Sequence, residues 1–256
     1  MKNYFDLKGQ VAVITGASGG LGVQLANALG NQGAKLALIA RNKEKLQERK
    51  DELEEKGYEV YYVSAEVNDS VQVKNAVQKI MDHYGRIDIL INNAGIGLGD
   101  PILEIEDETW QKMLEVNITG AMYFSRECGK IMKEQGYGRV INMGSIHSRV
   151  GLNQSPRMTP YATTKGAILM MTKSLATEWA GYGITVNAIG PSYFESKMTH
   201  KALENQDFRH MVENYCPMGR IGKKGELDTT VIYLASKYSS FVTGQLINVD
   251  GGWTAV

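Results

Sequence analysis

The sequence predicts an α/β fold: a doubly wound parallel sheet of about seven strands with helices on both faces, built as one domain over residues 1–256. Three observations carry this expectation. Short β-branched runs recur that are apolar on both faces, as strands inside a parallel sheet are. Longer amphipathic stretches separate them, and strand–helix alternation is the pattern of a doubly wound sheet. No low-complexity linker, composition break or internal repeat divides the chain, whose length suits one large domain.

The first predicted strand is Val11–Thr15, and a glycine-rich turn leads from it into the first helix. Residues 36–40 (LALIA) form the second strand and 60–63 the third. Between them, the strongly charged stretch 43–56 suits a helix with an exposed face. Residues 71–84 place Val73, Val77 and Ile80 at three- and four-residue spacing, as in an amphipathic helix. Runs at 87–91, 140–143, 184–189 and 246–249 supply the remaining strands. Stretches 116–135, 160–180 and 225–236 supply the remaining helices, and about 191–218 is left as a substrate loop.

Composition narrows the function classes. The chain is 43% hydrophobic and 22% charged, ordinary for a soluble globular protein. Its 28 basic and 28 acidic residues cancel, which argues against a nucleic-acid binder but leaves room for a local phosphate pocket. Cys128 and Cys216 lie far apart with no CxxC pair, so two free thiols in a reducing compartment are expected. Residues 1–8 lack the apolar core of a signal peptide, and no stretch approaches the ~20 apolar residues of a membrane span. The expected location is cytoplasmic.

The turn Thr15-Gly16-Ala17-Ser18-Gly19-Gly20-Leu21-Gly22 follows the first strand and opens a helix. Gly16, Gly20 and Gly22 let backbone turn tightly and approach a pyrophosphate, with the helix N-terminus offering N–H groups to the anion. Ser18 and Leu21 lie within the same cradle. The spacing TGxxxGxG differs from the common GxGxxG. The second strand ends in Ala40-Arg41, where NAD-binding folds usually carry an acid for the ribose hydroxyls. Arg41 could instead pair with a 2′-phosphate, which makes NADP(H) the expected coenzyme and NAD(H) the alternative. The plainer reading of Arg41 is a solvated residue at the start of a charged helix.

Tyr161 and Lys165 sit four residues apart, hence on one side of a helix, one turn apart. A nearby cation favours phenolate and should lower the tyrosine below its usual value near 10, so the pair suits general acid–base chemistry.

Taken together, Thr15–Gly22, Asn92-Asn93-Ala94-Gly95, Asn117, Ser145 and Tyr161/Lys165 resemble the short-chain dehydrogenase/reductase family, in order and over nearly the whole chain. The resemblance implies a Rossmann-type oxidoreductase that interconverts a ketone and a secondary alcohol. In it, Tyr161 would exchange the proton with the substrate oxygen. Lys165 would hold the nicotinamide ribose and acidify Tyr161, Ser145 would hydrogen-bond the substrate oxygen, and Asn117 would hold a water linking Lys165 to solvent. Asn93, Ala94 and Gly95 would shape the coenzyme cleft; Pro191 and Ser196 would border the nicotinamide amide. Three positions depart from the family pattern: Ser192 where glycine follows the proline, Ser196 where threonine is usual, and Glu66 before Val67 where an aspartate normally lies by the adenine. A homotetramer is also implied, pairing helices 116–135 and 160–180 and the last strand, with the apolar tail 252–256 as interface.

Other constellations carry less. Four histidines show no metal-ligand spacing, so no metal is expected, and no GxSxG elbow supports a serine hydrolase. His147, two residues past Ser145, is either a substrate contact or a plain loop residue. A non-catalytic dinucleotide-binding protein would have lost Tyr161 or Lys165; an epimerase or dehydratase of the sugar-nucleotide type would carry an extended C-terminal substrate domain.

The segment around Ser192, Phe194 and Met198 resembles the gluconate 5-dehydrogenase group, whose GPxYFxxxMT stretch it shares. That implies small keto sugar acids such as 5-keto-gluconate as substrates. A carboxylate needs a cation, and Arg149 and Arg157 lie between Ser145 and Tyr161. The alternative is an apolar ketone such as a steroid, held by Met158, Phe194, Met198, Phe208 and Met211.

Overall fold

The computed structural model describes residues 3–97, 101–152, 158–196 and 199–256, and of Lys201 the backbone alone. Arg157 and Met198 therefore lie outside the described residues. The elements run β1 (Val11–Thr15), α1 (Gly20–Asn31), β2 (Lys35–Ala40), α2 (Lys43–Glu54), β3 (Val60–Ser64), α3 (Ser70–Tyr84) and β4 (Ile89–Asn92). They continue with α4 (Asp107–Leu114), α5 (Gly120–Gln135), β5 (Gly138–Met143), α6 (Thr159–Trp179) and β6 (Ile184–Pro191). Last come α7 (His200–Leu203), α8 (Gln206–Tyr215), α9 (Asp228–Ala235) and β7 (Leu246–Val249).

All seven strands pair in parallel, in the order β3-β2-β1-β4-β5-β6-β7. Alternate strand residues face opposite sides, so each face collects its own core. Ala12, Ile14, Leu36, Leu38 and Ile91 pack with Leu25 and Leu29 of α1 and Val231 and Leu234 of α9. Val11, Val13, Leu90, Val140 and Val186 pack on the other side with Val73 and Val77 of α3 and Phe124 and Cys128 of α5. The order reverses between β1 and β4, and a crevice opens outside the carboxyl ends of strands at such a point.

Local chemistry explains the helix ends. Asn42 caps α2 by accepting from Lys45 N at 2.7 Å, and Asp69 caps α3 by accepting from Val71 N at 2.9 Å. Gly85 and Gly136 end α3 and α5 with φ of 73° and 65°, the left-handed conformation that glycine adopts freely. Two features depart from expectation. The helix placed at 116–135 begins at Asp107 and passes through a π turn at Glu115–Thr119 before α5. The stretch left as a loop after β6 contains α7 and α8. Cys128 and Cys216 are both buried and unpaired. Among the described residues, no helix is long and apolar enough to cross a membrane.

A buried polar chain ties the centre of the sheet to α5 and α6. Asn92 Nδ2 donates to Ser125 Oγ at 2.9 Å and to Asn142 Oδ1 at 2.8 Å. Asn142 Nδ2 donates to Thr172 Oγ1 at 2.9 Å, and that hydroxyl donates to Ile168 O at 2.7 Å. Thr172→Val keeps the shape but leaves the Asn142 amide without its acceptor, which costs about 1–3 kcal/mol. Urea unfolding should show a lower midpoint with an unchanged slope; an unchanged midpoint would refute the role given to this hydroxyl.

Candidate active site

The glycine turn is knotted to the end of β4. Thr15 Oγ1 accepts from Asn93 N and Ala94 N, each at 3.0 Å. Asn93 Nδ2 donates to Thr15 O at 2.9 Å and Gly16 O at 3.3 Å. Gly16 has φ of 68°, and a Cβ there would lie 2.8 Å from Asn93 Nδ2. A Cβ at Gly22 would lie 2.5 Å from Gly16 O, so both positions require glycine. At Gly19 and Gly20 the surroundings are open among the described residues: none of them lies within 4 Å of a Cβ at Gly19, and at Gly20 Ser196 Cβ lies at 3.8 Å. α1 has no side-chain cap and no acid in its first turn, so its N–H groups face that open space unopposed.

Arg41 and Glu66 meet across the ends of β2 and β3, with Nε 3.8 Å from Oε2 and both side chains largely exposed. Val67 is buried, its Cγ2 2.8 Å from where a Cβ on Gly120 would stand.

The π turn places Asn117 between two halves of the site. Its Oδ1 accepts from Ile96 N at 2.8 Å; its Nδ2 donates to Ile96 O at 2.9 Å and to Thr164 Oγ1 at 3.1 Å. The side chain thus positions the loop after β4, beside Gly95, against the α6 turn that carries Tyr161. Both amide protons of Asn117 are used by protein groups, and its oxygen accepts one bond. Such π turns concentrate at functional sites.

Ser145 lies two residues past β5 and caps a 3₁₀ turn, its Oγ accepting from His147 N at 3.1 Å. Lys165 Nζ donates to Met143 O at 2.7 Å and stands 5.5 Å from the centre of the Tyr161 ring. Burial pushes Tyr161 up to about 12, with the Ser145 hydroxyl pulling the other way, and pushes Lys165 down to about 8. The expectation that the ammonium lowers the phenol is therefore corrected: desolvation dominates, because Nζ is turned toward a backbone carbonyl.

His147 is buried beside Tyr161, with ring centres 6.4 Å apart, and burial lowers its pKa. Its Nδ1 meets Val150 O at 3.2 Å and its Nε2 meets Tyr193 Oη at 3.4 Å. Ser192 N donates to Val249 O at 3.2 Å, and Ser196 Oγ pairs with Thr199 Oγ1 at 3.0 Å. Phe194 turns most of its ring into the core. It is 4% exposed in the α1–α9 face, with its ring against Gly222, where a Cβ would lie 2.4 Å from Phe194 Cζ. What remains of its surface borders the cavity that Gly19, Gly20 and Leu21 also line. Arg149 is exposed.

Tyr193 and Trp253 are site-side residues that the sequence reading did not single out. Tyr193, Phe208 and Met211 pack against Ile146, Val212 and Trp253 beyond the carboxyl ends of β5, β6 and β7. The apolar spacing of Phe208, Met211, Val212 and Tyr215 was the available signal for α8. Trp253 is buried against Tyr193 and Tyr215, with ring centres 5.6 Å away in each case, so this part of the tail packs on the same aromatic layer.

Residues 16–254 match the family described as Enoyl-(Acyl carrier protein) reductase. Gluconate 5-dehydrogenase of Gluconobacter oxydans is 35% identical over 250 residues, covering 98% of this chain and 96% of that protein. The chain belongs to the short-chain dehydrogenase/reductase family. It is an oxidoreductase of that family. The 3-oxoacyl-[acyl-carrier-protein] reductase FabG of Thermotoga maritima is 36% identical over 246 residues, covering 96% of this chain and 98% of its own. A gluconate 5-dehydrogenase structure from Burkholderia cenocepacia, in complex with NADP and tartrate, superimposes with a TM-score of 0.95 at 35% identity. That match covers 99% of this chain and 98% of that one.

The site's electrostatics set a pH dependence. Lys165 loses its ammonium as pH rises through about 8, while Tyr161 keeps its proton to about 12. Ketone reduction should therefore hold up to a pH of about 8 and fall above it as one proton is lost, measured as kcat/KM. A profile flat to the ordinary lysine range, about 10.4, would contradict this.

Proposed function

We propose that this oxidoreductase reduces small hydroxylated keto acids, of which 5-keto-gluconate is the type, with NADP(H) preferred over NAD(H) and Tyr161 as general acid. The observation that carries the reading is the meeting of Tyr161 with Ser145 beside Lys165, at the mouth of the crevice that the glycine turn lines.

The residues present fit a dinucleotide. The uncapped N-terminus of α1 and the open space at Gly19 and Gly20 suit a pyrophosphate, and Lys165 is the candidate partner for the ribose. When bound, a reduced nicotinamide supplies a hydride to the carbonyl carbon. Ser145 donates a hydrogen bond to the carbonyl oxygen and Tyr161 delivers the proton to it, giving the alcohol; Lys165 stabilises the phenolate left behind. Arg41 after β2, with Ala40 before it, would pair with a 2′-phosphate in competition with Glu66. The exposed Glu66 partner makes that preference modest.

The sugar-acid substrate is supported by likeness to gluconate 5-dehydrogenases and by a hydroxylated diacid in one relative's crystal. Between Ser145 and Tyr161, Arg149 is the one cation among the described residues, and it is the candidate partner for the carboxylate. FabG, at a similar identity, stands for the rival class of apolar chains. Met122 on α5 and Met170 on α6 are exposed, which supports pairing of these helices in a homotetramer.

Purified protein should oxidise NADPH with 5-keto-gluconate and leave a steroid ketone untouched; the reverse pattern would overturn the substrate assignment. Tyr161→Phe should lower kcat by about 10²–10⁴-fold while the coenzyme still binds; retained turnover would refute the mechanism. Arg41→Ala should raise the NADPH Michaelis constant more than that for NADH, and equal rises would refute the 2′-phosphate contact.

A further inference from the structure

His147 and Tyr193 form a polar pair beside Tyr161, and the fold holds both tightly. His147 is 6% exposed, on the turn that Ser145 caps. Tyr193 follows the end of β6, with Phe208 packed edge-on at 5.7 Å and Trp253 at 5.6 Å between ring centres. The centres of the His147 and Tyr193 rings lie 6.2 Å apart.

The hydrogen-bond chemistry is determined by one backbone group. Val150 O can only accept, so His147 Nδ1, 3.2 Å away, carries the proton. Nε2 is then an acceptor, and Tyr193 Oη faces it at 3.4 Å. That separation is long for an O–H···N bond. One buried acceptor and one phenol donor are thus held side by side, weakly coupled to each other. Burial disfavours the charged imidazolium, which keeps Nε2 an acceptor at neutral pH.

We propose that His147 Nε2 and Tyr193 Oη together read a hydroxyl on the carbon next to the substrate's carbonyl, making the protein selective for α-hydroxy ketones and, in the reverse direction, vicinal diols. A hydroxyl is the complement of this pair: it donates to Nε2 and accepts from Oη. It would lie one carbon from the oxygen that Ser145 and Tyr161 hold, matching the adjacency of the His147 and Tyr161 rings. A ketone lacking that hydroxyl forgoes both bonds. Because the two side chains can still face each other, the discrimination is about 10–100-fold. This inference rests on the assignment of Ser145 and Tyr161 to the carbonyl oxygen; it does not depend on a carboxylate or on the length of the sugar.

The test compares acetoin with 2-butanone, which differ by one hydroxyl beside the carbonyl, in the parent and two variants. Tyr193→Phe removes Oη and keeps the ring that packs on Phe208 and Trp253. His147→Phe removes both nitrogens and keeps a ring. The parent should favour acetoin in kcat/KM, and each variant should cut that preference about tenfold or more, through KM for acetoin. The inference is overturned if the parent shows no preference for acetoin, if the preference survives in Tyr193→Phe, or if both ketones lose rate together. Failure of the sugar-acid reading is separately visible: acetoin selectivity would persist in a protein that leaves 5-keto-gluconate unreduced.

Discussion

The Asn117 amide is the constraint on which the geometry of the site depends. One side chain accepts from Ile96 N and donates to Ile96 O, fixing the loop after β4 that borders the coenzyme crevice. The same amide donates to Thr164 Oγ1, which donates to Tyr161 O in the turn of α6 that presents the phenol and Lys165. A regular helix from Asp107 to Gln135 would rotate Asn117 differently relative to both partners. The π turn at Glu115–Thr119 inserts one extra residue per turn there, a local backbone cost tolerated where it aims a side chain. The Thr15–Asn93 knot does the corresponding work on the other wall, joining the glycine turn to the same loop. Coenzyme crevice and acid–base pair are thus held in register by side-chain-to-backbone hydrogen bonds between segments distant in sequence.

Burial then sets the chemistry of the groups so aligned. Taking Tyr161 and Lys165 out of water disfavours both charged forms, which raises one and lowers the other. The phenol keeps its proton well above neutrality and the amine is brought toward neutrality, so both protons are present at neutral pH. Met143 O stabilises the ammonium without neutralising it, since a carbonyl accepts a hydrogen bond but carries no formal charge. A carboxylate in its place would hold Lys165 charged, yet would also compete for it with a ribose.

How much of this was legible follows from what each signal encodes. Strands β1, β2 and β5 lie within a residue or two of their predicted bounds because fully buried parallel strands are continuous apolar runs. β4 starts two residues later than the apolar pattern, since Asp88 is used to accept from Val11 N and to pair with Arg86. The glycine turn was legible because Gly16 and Gly22 each sit where a Cβ would collide. The π turn was not, because it changes hydrogen-bond partners without changing apolar spacing. The depth of Phe194 was not legible for a related reason: an aromatic residue in a loop after a strand reads the same whether it turns into the cleft or into the core. Only the approach of Gly222 decides it, and that contact is remote in sequence. The pKa of Tyr161 was misjudged because residue spacing gives proximity to a cation but not the desolvation that outweighs it.

The aromatic layer beyond the sheet gives the polar pocket its rigidity. Tyr193, Phe208, Trp253 and Tyr215 join three segments, the end of β6, α8 and the tail after β7, none of which shares strand pairing with the others beyond Val249. Gly251 and Gly252, with φ of 63° and 90°, turn the chain so that Trp253 reaches back under Tyr193. Asp250 fastens that turn, accepting from Gly252 N and Thr254 N at 3.0 Å each. Without this layer Tyr193 would be a loop tyrosine with free rotation, and holding its hydroxyl beside His147 would cost the conformational entropy of ordering it on each encounter. With it, the phenol is ordered in advance. The apolar side chains of this layer thus serve as support: what they pack against is Tyr193, and what Tyr193 turns toward His147 is a hydroxyl.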